Sequence, residues 1–202
     1  MSTWRREPVK WFAYRLGLKE ARTQTTEAER ACLSRHALGR RNVVVIGVAY
    51  GVSSRVLRRA MHRGGTLTGI DTRRPGPVTE SVERLIMLKE VGKVPYGHFV
   101  LEQRPSAEVA AGWTTPIDFL FIDGDHSWTG IDTDWRSWSP LVVRGGLVGV
   151  HDSREMPGRP VLDSVRYTRE VILQDPAFTV LEMIDGLTIL ERIAAVPPAT
   201  RT

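Results

Sequence analysis

Ile117-Asp118-Phe119-Leu120-Phe121-Ile122-Asp123-Gly124-Asp125-His126 is the stretch that decides how the rest of the chain is read. Its apolar positions are mostly β-branched or aromatic, which is the composition of a strand buried on both faces. The run stops abruptly at an acid-rich turn. In an open α/β sheet ligands gather beyond the carboxyl ends of the strands, so Asp123, Asp125 and His126 stand where chemistry is expected. About 25 residues on, Gly146-Leu147-Val148-Gly149-Val150 ends the same way at His151-Asp152-Ser153. If the two strands are neighbours, Asp123, His126, His151 and Asp152 face one crevice.

Upstream, Val43-Val44-Val45-Ile46 reads as a first buried strand. It runs into Gly47-Val48-Ala49-Tyr50-Gly51-Val52-Ser53-Ser54 and then a helix. Val52, Val56, Leu57, Ala60 and Met61 fall on one face of that helix, and Arg55, Arg58, Arg59 and Arg63 on the other. Glycines in such a turn let the backbone approach a ligand, and the helix start offers unpaired N–H groups. Thr66–Ile70, the next strand, ends in Asp71, about two dozen residues after Gly47. That is the spacing at which an acid accepts hydrogen bonds from a ribose diol.

The remaining pattern alternates. A loop at Arg73–Pro77 leads to a helix over Ser81–Val91 with Val82, Leu85, Ile86 and Leu88 inward. Gly97–Leu101 is a strand, and Ser106–Ala111 and Thr129–Trp138 are helices, with Trp128, Trp135 and Trp138 read as packing. Pro140 and Gly145-Gly146 mark a turn, and Val161–Leu173 is a helix. Phe178–Met183 and Leu187–Leu190 flank Ile184-Asp185-Gly186 as a hairpin. The order predicts an α/β fold, a three-layer Rossmann-like sandwich whose mostly parallel seven-stranded sheet closes with a C-terminal antiparallel hairpin. Residues 1–38 are expected to form a helical cap or an oligomer contact, with Thr26 as the N-cap of its second helix. Residues 39–193 are the core, and 194–202 a loose tail.

At 202 residues the chain suits one domain. Its 42% hydrophobic and 25% charged residues are ordinary for a soluble protein, and no run approaches the roughly 18 apolar residues of a membrane span. The N-terminus is charged and lacks a signal-peptide core, so a cytoplasmic location is expected. Cys32 is the single cysteine, which excludes an internal disulfide. The net charge of +5 is spread as scattered arginines with no sustained run, which argues against a nucleic-acid partner.

Val45 to Ser54, Asp71, Phe121-Ile122-Asp123-Gly124-Asp125-His126-Ser127 and the segment from Pro140 through Gly145-Gly146 to His151-Asp152 together resemble class I S-adenosylmethionine (SAM)-dependent methyltransferases. Within them the chain is similar to a small bacterial group with an Asp-Gly-Asp-His-Ser signature, related to the metal-dependent O-methyltransferases of antibiotic and catechol type. The resemblance spans about Thr25 to Arg192. It implies that Gly47 and Gly51 line the methionine moiety of SAM, that Ser53 lies near its carboxylate, and that Asp71 holds the ribose hydroxyls. It further implies that the segment from Gln103 to Ser106 lies beside adenine, and that Asp123 borders the donor and, with His151 and Asp152, holds a divalent ion, magnesium or manganese. His126 falls where such relatives often carry a base.

Two departures stand out. An acid commonly precedes the first glycine by two residues, where this chain has Val45. His151 replaces an oxygen ligand, although magnesium prefers oxygen and imidazole suits manganese, iron or zinc. The expected activity is O-methylation of a small hydroxylated molecule, a sugar or phenolic group, with His126 taking the proton. The alternative is an RNA-binding methyltransferase or a non-catalytic binding module that uses the arginine-rich helix.

Overall fold

The computed structural model describes residues 7–72 and 82–195. The loop expected at Arg73–Pro77 and residues 196–202 of the expected tail lie outside them. The seven strands are β1 (Asn42–Ile46), β2 (Thr66–Ile70), β3 (His98–Glu102), β4 (Ile117–Ile122), β5 (Val142–Val150), β6 (Phe178–Ile184) and β7 (Leu187–Arg192). They form one sheet in the order β3-β2-β1-β4-β5-β7-β6, parallel through β5, with β7 antiparallel to both β5 and β6. The expected architecture is the one observed.

Strand side chains alternate in direction, so the valine run of β1 feeds two cores at once. Val44 and Ile46, with Leu120, Ile122, Val148 and Val150, pack against α5 (Ser106–Ala111), α6 (Trp128–Trp138) and α7 (Asp163–Glu170). Val43 and Val45, with Phe119, Phe121 and Ile189, pack against α2 (Glu27–Ala37) and α3 (Val52–Ala60). Trp135 and Trp138 are buried in the first core, as their spacing suggested, while Trp128 stays partly exposed with its edge against Tyr167. Val45 is fully buried in the second core, so an acid there would need a partner.

Several local expectations need correction. Cys32, Leu33 and Ala37 of α2 are fully buried beside Val43 and Leu57, so the boundary expected at residue 38 cuts through a packed layer. Only α1 (Glu7–Arg15) keeps the character of a cap: it holds α4 (Val82–Gly92) through the Tyr14 hydroxyl, which donates to Glu90 Oε1 at 2.7 Å, and leaves Phe12, Leu16 and Leu18 exposed. In α4, Met87 and Val91 point inward and Leu88 is exposed. Arg58 leaves the basic face altogether. It is buried and donates to the carbonyls of Val91, Tyr96 and Gly97 at 2.7, 2.7 and 3.0 Å, tying the end of α4 to the start of β3. Val161 precedes α7 and is exposed, and the helix stops at Glu170 with a 3₁₀ turn at Ile172–Gln174. Gly145-Gly146 lies inside β5, at a register shift opposite β4, rather than before it.

Candidate active site

Register builds the site. Ile46 pairs with Ile70 on one side and with Ile122 on the other, and Ile122 pairs with Val150. The next residue of each strand, Gly47, Asp71, Asp123 and His151, therefore falls in one row along the carboxyl edge. Backbone bonds carry the ladder one step past the strands: Gly47 N–H donates to Ile70 O, Asp123 N–H to Ile46 O and His151 N–H to Ile122 O, at 2.9, 2.9 and 3.0 Å. Between β1 and β4 the chain turns opposite ways, which opens the crevice typical of doubly wound sheets. Gly47 sits at φ +84, and a Cβ there would lie 2.0 Å from the Asp123 carbonyl oxygen. No side chain can stand at this turn without parting β1 from β4.

A cavity of about 540 Å³ fills the crevice, lined by Gly47, Asp71, Ser106, Asp123 and Asp134 among others. A second, of about 300 Å³, adjoins it across Asp123 and Gly124 and carries Gly51, Ser53 and His126. The Asp71 carboxylate accepts from the N–H groups of Val48 and Ala49 at 3.2 and 3.1 Å, which fixes the glycine turn over the mouth of the crevice. Ser106 accepts from the Trp138 indole at 2.7 Å. Gln103 stands apart from these, taking a 2.7 Å hydrogen bond from Arg84 in a small recess behind Asp71. Asp134 was not evident from the sequence. Burial pushes its carboxyl up to about 6, Ser106 pulls it down in part, and the Asp125 charge raises it further. Its one sequence signal is an acid on the inward face of α6, between the buried Ile131 and Trp135.

The two Asp123-Gly124-Asp125-His126 acids divide their work. Asp125 closes the turn, accepting from Ser127 N–H at 2.9 Å and from the Ser127 hydroxyl at 3.0 Å, and these bonds hold its carboxyl below the usual range. Asp123 instead turns to His151, whose Nδ1 lies 2.9 Å from Asp123 Oδ1. His126 Nε2 lies 3.5 Å from Asp152 Oδ2 and remains partly exposed. Ser164, fully buried at the start of α7, holds this second pair: its N–H donates to His126 O at 3.0 Å and its hydroxyl to Asp152 O at 2.7 Å. Asp152 itself takes φ +46, a conformation that a non-glycine residue adopts only when its surroundings impose it.

Beneath lies a residue that sequence order places only in the first turn of α2. Glu29 completes a capping box with Thr26, and the same side chain reaches under the crevice, with Oε2 at 3.3 Å from His151 Nε2. Its other oxygen accepts from Gly186 N–H at 2.8 Å, and Thr26 donates to Asp185 at 2.6 Å, so α2, the β6–β7 turn and the end of β5 meet at His151. Burial would lower the imidazole pKa, but hydrogen bonds to Asp123 and Glu29 and the charges of Asp123 and Asp152 outweigh it and raise His151 to about 10. Glu29 is held low: burial raises it, and the bonds from His151, Thr26 and Gly186 more than offset that.

This arrangement does not fit the expected ion. A metal ligand needs a free imidazole lone pair, and here each ring nitrogen faces a carboxylate, Nδ1 on Asp123 and Nε2 on Glu29. Carboxylates at both ring nitrogens, with Asp152 nearby, favour the protonated form of His151. The one cluster of metal-type donors that close on a common point among the described residues is Cys32, His36 and Glu182, on the far side of α2. There Arg35 already pairs with the Glu182 carboxylate at 2.6 Å.

Comparison with known proteins agrees with the fold. The chain is similar to an O-methyltransferase from Bacillus cereus solved with S-adenosylhomocysteine (SAH), at 16% identity, covering 95% of this chain and 92% of that one, with a TM-score of 0.61. It is also similar to TomG from Streptomyces achromogenes, an O-methyltransferase of tomaymycin synthesis solved with SAM, at 18% identity over 93% and 89% of the two chains and a TM-score of 0.63. An rRNA methylase from Streptococcus thermophilus shares the fold at 12% identity, over 86% of this chain and all of that one, with a TM-score of 0.57. A family model described as a methyltransferase domain matches residues 44–153, from the middle of β1 to just past the His151-Asp152 strand end. That match covers more than half of the chain and both strand ends of the crevice, and the protein belongs to this methyltransferase-domain family.

Proposed function

We propose that the protein transfers the methyl group of SAM to a hydroxyl of a small molecule, a sugar or a phenolic natural product. The observation that carries the reading is the single row of Gly47, Asp71, Asp123 and His151, with His126, paired to Asp152, lining the cavity that adjoins the crevice. The larger cavity suits a nucleoside, with Asp71 toward the ribose and Ser106 and Asp134 toward the base. Gly51 and Ser53 line the neighbouring space, where the methionine end would lie beside His126.

When bound, SAM supplies a methyl carbon on a positively charged sulfur, whose S–C electron pair returns to sulfur as the new O–C bond forms. The protein's share is alignment and proton removal. His126 takes the acceptor's hydroxyl proton on a ring nitrogen, and Asp152 orients the ring and balances the charge it gains. Asp123 and His151, already paired, give the sulfonium a fixed polar wall without a free charge. No step here uses a metal ion. Methyl transfer from labelled SAM to a panel of hydroxylated sugars and phenols is expected to proceed undiminished in EDTA. An enzyme silenced by the chelator and restored by magnesium or manganese would return Asp123 and Asp152 to the role of ligands.

The RNA-binding reading has weaker support. Arg58 is buried, and Arg55 lies 2.7 Å from the Glu90 carboxylate, so two of the four arginines counted on the basic helix face are spent inside the fold.

A further inference from the structure

Next to the His126–Asp152 pair the structure opens a third cavity, of about 270 Å³, with Asp152 in its wall. Arg22 and Gln24 line both this cavity and the one that holds His126, so the two adjoin at these side chains. Its lining combines Arg22, Arg154 and Arg159 with the apolar Met156, Leu162 and Val165. Three arginines therefore share its wall with one carboxylate, that of Asp152. That carboxylate is shared already, with His126 at 3.5 Å and His151 at 3.6 Å, while Arg159 Nη1 stays 3.7 Å from it, beyond hydrogen-bond distance. Arg154 makes a single long contact, 3.3 Å to the Asp185 carbonyl. All three arginines are exposed. Arginines, apolar side chains and, in the adjoining cavity, His126 describe a ligand with matching parts.

Resting on the methyl-transfer reading above, we infer that the acceptor is anionic: a hydroxylated molecule with a short apolar body and a carboxylate or phosphate at the end away from the reacting hydroxyl. Guanidinium forks match either group with paired hydrogen bonds, and such charge-assisted bonds are the strong ones. The arginines thereby fix which end of the acceptor enters first and bring its hydroxyl to His126.

The test uses matched pairs on the SAH-loaded protein: 4-hydroxybenzoate against 4-hydroxybenzamide, and 4-hydroxyphenyl phosphate against hydroquinone, titrated by calorimetry with the wild type and with the Arg154→Gln/Arg159→Gln double variant. The wild type is expected to bind at least one anion about tenfold or more tightly than its neutral twin. The double variant is expected to lose that preference while its affinity for SAH stays the same. Which pair responds tells carboxylate from phosphate. Neutral twins binding as well as the anions, a preference that survives the double substitution, or no acceptor binding on SAH-loaded protein would each overturn the inference and leave the donor site standing. Failure to bind SAH at all would instead sink the methyl-transfer reading beneath it.

Discussion

Replacing His126 by alanine is expected to lower kcat for methyl transfer by roughly 10²–10⁴-fold, the usual share of a positioned general base. Affinity for the donor is expected to change little. His126 follows directly on the turn that ends β4. Ser164 ties its backbone to that of Asp152, so the ring is aimed by α7 as well as by β5. The ring lies outside the nucleoside cavity, in the neighbouring space it shares with Gly51 and Ser53, so the loss is predicted mainly in kcat and only slightly in donor binding. Asp152→Asn is expected to weaken the same step less, because it keeps the shape and removes only the charge that steadies the protonated ring. Steady-state kinetics alongside calorimetric SAH binding separates the two effects. An alanine variant with wild-type kcat would show that the acceptor loses its proton elsewhere.

Glu29→Gln is expected to cost about 3–5 kcal/mol of stability, the range found when one partner of a buried ion pair is removed. Glu29 is 2% exposed and accepts from Thr26 N–H at 2.7 Å, from Gly186 N–H at 2.8 Å and from His151. The substitution strips a carboxylate from a buried imidazolium and turns one acceptor into a donor in a site with no acceptor to spare. The same network predicts a pH profile. His151 has its pKa raised from 6.5 to about 10 in the folded protein, so its contribution is complete below about 6.5 and is lost as pH rises to about 10. Glu29 is shifted the other way, so its contribution is present above 4.5 and falls away in more acid solution. Urea unfolding of the wild type between pH 5 and 10 is expected to show stability greatest near pH 6 and falling through the alkaline range. The glutamine variant is expected to be less stable throughout, with a shallower alkaline decline. A flat wild-type profile would mean that His151 is neutral in the fold.

Much of this was legible from residue order because sheet and helix signals here are strong. Apolar runs ending in polar ligand-type residues marked β1, β2, β4 and β5, and Asp185-Gly186 marked the hairpin. Parallel neighbours in register then put Asp123 and His151 side by side. Less visible were contacts that join distant segments. Arg58 looked like a surface residue by helical periodicity, because nothing local reveals that three carbonyls of the α4–β3 connection converge on it. Glu29 was visible only as an acid in the first turn after the Thr26 cap, not as a partner for His151, 122 residues away. His151 shows the same limit: its neighbours in sequence suggest a metal ligand, and its neighbours in space are carboxylates at both ring nitrogens. Ser164 and Asp134 gave no pattern of their own, since a serine at a helix start and an acid on a helix face are commonplace.

If four strand ends in register hold one donor molecule in the crevice between β1 and β4, calorimetric titration of SAM into the wild type and into Asp71→Asn shows it most directly. Saturable binding of one SAM per chain, with affinity in the order of micromolar and weakened about tenfold or more by the substitution, is the predicted result. No heat with the wild type, or equal affinity in both proteins, would contradict it.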